Sequence, residues 1–104
     1  MASYTLRQLK YFVTTVEAGS VAEASRQLYI AQPSISTAIK SLEESFGVQL
    51  FIRHHAQGVS LTPSGKRFYA KTKSLLQMAH EFEQNALADN DTVAGQIDIG
   101  CFET

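Results

Sequence analysis

After Thr62-Pro63 the chain runs from Ser64 to about Asn90 with no further proline and, past Gly65, no glycine. Threonine followed by proline is a helix start. The hydroxyl can cap the first turn, and proline tolerates the first helical position because its missing N–H is not needed there. These 27 residues, at about 1.5 Å each, make a rod about 40 Å long. Along it Phe68, Thr72, Leu75, Ala79, Phe82 and Ala86 recur at spacings of 4, 3, 4, 3, 4, the heptad seam of a helix that packs on another helix. The body that precedes the rod is too small to cover such a stripe, so these six residues are read as a dimerisation surface. Packing on the chain's own body is the alternative reading of the same residues.

Three shorter helices come first. Thr5 to Gln8 has capping-box spacing, and Leu6, Leu9, Phe12, Val13 and Val16 follow at helical intervals until Gly19. Ser20 to Glu23 repeats the box and opens a second helix, with Ala24 and Leu28 inward and an end near Tyr29. The third is AQPSISTAIKSLEESFG, with Pro33 in the first turn and Gly47 as the stop. At 100° per residue Ile35, Ile39, Leu42 and Phe46 lie within roughly 60° of one another and predict a core stripe. The opposite face carries Pro33, Thr37, Lys40, Ser41 and Glu44. Short helices joined by tight turns predict a helix-turn-helix arrangement.

Beyond Gly47, Val48, Leu50 and Ile52 alternate, as do Val59 and Leu61, with His54 to Gly58 between the runs. That predicts a β-hairpin, which after a third helix is a wing. The fold class is therefore mainly α: a winged helix-turn-helix followed by a long linker helix. Residues 1–62 are read as the winged domain, 63–90 as the linker helix and 91–104 as a hinge and strand. In the last stretch Ile97, Ile99 and Cys101 alternate; one strand is not stable alone, so a second domain is expected to begin there.

The formal net charge of −1 conceals a split. All nine Lys and Arg fall in residues 1–75 beside four acids, a balance of +5, whereas residues 76–104 carry six acids and no Lys or Arg. A basic body with an acidic tail suits a polyanionic partner, although +5 is also within ordinary surface charge. No run of 18 or more apolar residues offers a membrane span. The N-terminus lacks the apolar stretch of a signal peptide, and the single cysteine fits a reducing compartment; the cytoplasm is the expected location. No nucleophile elbow or glycine-rich phosphate loop is present, so an enzyme is not expected.

The third helix is the leading candidate for function. Ser34, Ser36 and Thr37 can bond phosphate oxygens or base edges, Gln32 can pair with adenine, and small side chains allow close approach of the backbone. Taken alone they are equally good solvated helix residues; their place on the third helix of a winged unit, the one that enters a major groove, favours DNA. Lys40 shares this outer face. Arg53, at the end of the first wing strand, could grip a phosphate or enter a minor groove, and His54 is counted with it. Neighbouring His54 and His55 point to opposite sides of a hairpin, so no metal site is expected. A winged module that binds protein and assembles through the long helix is the alternative function.

The run LRQLKYFVTTVEAGSVAEASRQLYIAQPSISTAIKSLEESFGVQLFIR, followed by LTPSG, resembles the N-terminal DNA-binding domain of LysR-type bacterial transcriptional regulators. The resemblance covers about residues 4–90, and GQIDIG resembles the start of that family's effector-binding domain. It implies a homodimer, in full-length relatives often a tetramer, on double-stranded promoter DNA. No cofactor is implied for this stretch, and a small-molecule effector would bind a C-terminal domain. By position, Gln32, Pro33, Ser34, Ser36 and Thr37 match recognition-helix contacts, Arg53 the wing arginine and Ser20 a backbone contact. Two departures matter. Family members often carry arginine where this chain has Thr37, and the tip HHAQG lacks a second wing arginine.

Overall fold

The computed structural model describes residues 3–54 and 58–92. The expected strand around Ile97 to Cys101 and the hairpin tip from His55 to Gln57 lie outside the described residues. Along the chain come α1 (Leu6–Ala18), α2 (Val21–Leu28), α3 (Gln32–Phe46), β1 (Phe51–His54), β2 (Gly58–Leu61) and α4 (Pro63–Thr92).

Local chemistry sets the helix ends. Thr5 Oγ1 accepts the Gln8 N–H at 3.1 Å while the Gln8 amide oxygen accepts the Thr5 N–H at 3.0 Å, completing the capping box. Gly19, at φ +91°, stops α1 in the left-handed region that glycine occupies freely. Ser20 Oγ accepts the Glu23 N–H at 3.0 Å and starts α2. The second half of the expected box is replaced: the Glu23 carboxylate pairs with Arg26 at 2.5 Å, a charge-assisted partner stronger than a backbone amide.

The core gathers Leu9, Phe12 and Val13 of α1, Val21 and Ala24 of α2, and Ile35, Ile39 and Leu42 of α3 beneath Leu50 and Phe51. Each large side chain removed from water contributes about 1.5–3 kcal/mol. Phe46, expected in the core stripe, is instead 38% exposed. The last turn of α3 lies at the rim of the body, where this ring meets Tyr4 at 5.5 Å and Phe68 at 5.0 Å. Ser41, expected on the outer face, is half-buried and accepts a hydrogen bond from the Gln8 side chain at 3.4 Å.

The two strands pair antiparallel, Phe51 opposite Leu61 and Arg53 opposite Val59. The alternation read from Val48, Leu50 and Ile52 does not describe this strand. Leu50 and Phe51 are both buried, and Ile52 is 44% exposed. Leu50 precedes β1 and is not bound by its alternation; once Phe51 faces the core, the two-residue period turns Ile52 outward.

LTPSG forms the joint to α4. Thr62 Oγ1 donates to the Gln49 carbonyl at 2.5 Å and accepts the Gly65 N–H at 2.8 Å. Gly65 passes so close to Leu50 that any Cβ there would strike its carbonyl oxygen. Further along, Glu17 of α1 accepts from the Tyr69 hydroxyl at 2.8 Å and pairs with Lys73 at 2.9 Å. Lys73 first and the Tyr69 hydroxyl second hold the Glu17 carboxyl below its ordinary range, and Glu17 in turn raises Lys73 and Tyr69.

The seam of α4 divides at this root. Phe68 stacks edge-on against Phe12 at 5.3 Å, and Thr72 is buried. Both pack within the chain's own body, as the alternative reading of the stripe had it for these two positions. Past Leu76 the helix leaves the body, and Met78 and Phe82 are 63% and 72% exposed. Ala86 and Leu87 are exposed as well, while Ala79 is half-buried. Among the described residues no helix is long and apolar enough to cross a membrane.

Candidate nucleic-acid interface

The first turns of α3 are bare. Ala31 precedes them in an extended conformation without a side-chain cap. Its carbonyl accepts the Ser34 N–H at 3.0 Å and Pro33 has no N–H, so of the first three positions Gln32 alone keeps an uncapped amide. Gln32, Pro33, Ser34, Thr37 and Lys40 are exposed and Ser36 is half-buried. Among the described residues none of Gln32, Ser34, Ser36, Thr37 or Lys40 has a side-chain hydrogen-bond or ion-pair partner. Pro33, Thr37 and Lys40, spaced four and three apart, form one strip. Small polar groups at a helix N-terminus, with amide dipoles behind them, suit an anion or a polar edge.

The remaining candidates meet at a second place. Ser20, Arg53 and His54 line one open cleft of 660 Å³ between the start of α2 and the hairpin. Two glycines bring them together. Gly58, at φ +92°, lies against Gly19, where a Cβ would collide with the Gly19 carbonyl oxygen. That oxygen accepts the Val59 N–H at 3.2 Å, tying β2 to the α1–α2 turn. The start of α2, where the Val21 and Ala22 amides have no intrahelical acceptor, thereby lines the same cleft as Arg53. His54 Nε2 lies 2.6 Å from Ser60 Oγ, which holds the imidazole along the hairpin edge. Sequence reasoning named these residues one by one; the pairing of Gly19 with Gly58, some 40 positions apart, carries no local signal.

One residue was missed. Glu43 looks like a surface acid in the sequence, yet its carboxylate accepts the Leu50 N–H at 2.8 Å and the Phe51 N–H at 3.4 Å. An acid three to four residues before a helix-ending glycine, followed by an apolar strand, was the available signal.

Charge is distributed around these two places rather than within them. Among the described residues only Arg26 and Lys73 are ion-paired, which leaves Arg7, Lys10, Lys40, Arg53, Lys66, Arg67 and Lys71 with no acidic partner.

The sequence pattern that defines the family "Bacterial regulatory helix-turn-helix protein, lysR family" matches residues 6–66. The HTH-type transcriptional regulator TfdS of Cupriavidus pinatubonensis is 40% identical over 98 residues, covering 94% of this chain and 33% of the relative. Among solved structures, HinK, a LysR family transcriptional regulator from Pseudomonas aeruginosa, is 78% identical over 80% of this chain and 27% of its own, with a TM-score of 0.73. The CbnR_DBD–DNA complex matches at 35% identity and a TM-score of 0.77, covering 82% of this chain and 97% of the other. The chain spans about a third of the length of the curated relatives it matches.

Proposed function

The chain belongs to the lysR family of bacterial regulatory helix-turn-helix proteins, and from that premise we propose that it binds double-stranded promoter DNA as a sequence-specific transcriptional regulator. The N-terminal part of α3, Gln32 to Thr37 with Lys40 beyond it, enters a major groove, and the β1–β2 hairpin lies beside it as a wing. Ser20 and the first amides of α2, together with Arg53 and His54, hold backbone phosphates across their shared cleft. The observation that carries this reading is the row of exposed hydrogen-bonding side chains on α3 without a partner inside the described chain. Relatives solved on DNA, such as the CbnR domain, support it.

Selection of duplexes from a random-sequence pool tests it. Gln32→Ala and Thr37→Ala should each change the enriched bases, since a good side-chain contact to a base edge is worth about 1–3 kcal/mol of discrimination. Unaltered preference in both variants, with assembly intact, would leave the winged unit as a protein-interaction module instead.

The chain acts, on this reading, as a homodimer joined through the exposed part of α4. Leu75, Ala79, Phe82 and Ala86 continue the heptad stripe past the body, with Met78 beside it. Charge favours opposite directions for the two helices: Lys66, Arg67, Lys71 and Lys73 crowd the start of α4, and Glu81 and Glu83 follow. Phe82→Asp would bury an unpaired carboxylate in that seam. Sedimentation should show its dimer constant weakened at least tenfold, about 1.4 kcal/mol, and an unchanged constant would show the contact lies elsewhere. A small-molecule effector would act through a domain beyond α4, and the bacterial cytoplasm is the setting this role implies.

A further inference from the structure

Glu43 lies on α3 about three turns from its groove-facing end. Its main-chain carbonyl accepts the Gly47 N–H, and the Val48 N–H at 3.1 Å. One carboxylate oxygen, Oε2, accepts the Leu50 N–H at 2.8 Å and the Phe51 N–H at 3.4 Å. A single side chain and its own peptide group thus hold four of the five amides that lead from the end of α3 into β1. Main-chain donors in an irregular connector need partners, and a carboxylate is the strongest acceptor a side chain offers. Phe51 begins β1 and Arg53 stands two residues on, so the direction in which the wing leaves α3 is set at this carboxylate. The far end of the hairpin is pinned separately, through Gly58 and Val59 on Gly19.

We propose that Glu43 is a positioning residue for DNA binding: it fixes Arg53 relative to Gln32 to Thr37, and so sets the span between the groove contact and the wing contact. The inference rests on the DNA reading above. It differs from a purely folding role in one respect: if Glu43 acts through Arg53, its loss must look like the loss of a phosphate contact.

Salt dependence provides that signature, because each phosphate neutralised adds about 0.9 to the slope of log K against log salt. The probe is the duplex that the parent chain enriches from a random pool. Arg53→Ala should lower the slope by about 0.9, Glu43→Ala should lower it by a similar amount, and the double variant should fall no further than either. Circular dichroism checks that each variant is folded; where Glu43→Ala does not fold, Glu43→Met, which keeps the side-chain length but has no oxygen to accept either amide, is judged by the same comparison. A Glu43 variant that keeps the parent slope while Arg53→Ala loses its step overturns the proposal. Unchanged slope in Arg53→Ala overturns it as well, by removing the wing contact itself. A parent chain whose affinity ignores salt is a separate result, and sinks the DNA reading as a whole.

Discussion

Raising the salt from about 50 to about 200 mM should weaken binding to a cognate duplex by about 10³–10⁵-fold. The size follows from charge placement. Seven bases have no acidic partner among the described residues, and each subunit should meet roughly 3–5 phosphates, or about 6–10 in a dimer. Every neutralised phosphate releases counterions, so the slope of log K against log salt should lie near −0.9 per contact. The N-terminal part of α3 carries little charge itself, so on the proposed DNA reading it would contribute preference among sequences while the scattered cations would contribute most of the affinity. Fluorescence anisotropy across a salt series measures this directly. An affinity that changes less than about tenfold over that range would mean that fewer than two phosphates are met.

Phe12→Ala should have the largest effect on the fold. Phe12 is fully buried, and its ring lies 5.4 Å from Phe51, 5.3 Å from Phe68 and 6.4 Å from Tyr69. It therefore joins α1 to the wing and to the root of α4 at one point. Truncating a buried Phe costs about 3–5 kcal/mol in lost transfer energy and cavity, against a total stability of about 5–15 kcal/mol for a domain. Thermal unfolding should move down by more than about 10 °C, with the wing and α4 loosening together. A loss below about 1 kcal/mol in urea titration would show that the ring cluster closes around the gap and is not the keystone of this packing.

The parts of this architecture that were legible in the sequence are those decided by neighbouring residues. Caps at Thr5, Ser20 and Thr62 act over three residues, and Gly19 and Gly47 stop their helices through local backbone freedom, so the limits of α1, α2 and α3 could be read directly. The errors fall where distant contacts decide. Phe46 obeys the helical period, yet the body ends beneath it. Phe68 and Thr72 obey the heptad spacing, yet α1 reaches them first. Ile52 follows the alternation with Leu50, but the strand starts only at Phe51. For the candidate interface, residue types and spacing singled out Gln32, Ser34 and Thr37. The cleft that joins Ser20 to Arg53 depends on two glycines meeting across the chain, and the clamp at Glu43 on amides that have no sequence signature.

The way α4 is held has a mechanical consequence. Among the described residues Lys73, pinned to Glu17, is the last side chain with a polar contact to the body. From there α4 runs on for about 19 residues, leaving the body past Leu76, so that its end lies about 28 Å from the pin. Such a rod turns angle into distance. A tilt of about 10° at the Glu17 pin swings its far end by about 5 Å, more than the 3.4 Å rise of one base pair. The Glu17–Tyr69–Lys73 contact, a modest surface interaction by energy, is therefore the fulcrum of a lever. In the dimer proposed above, small adjustments there would change the separation at which two reading heads can be seated on one duplex.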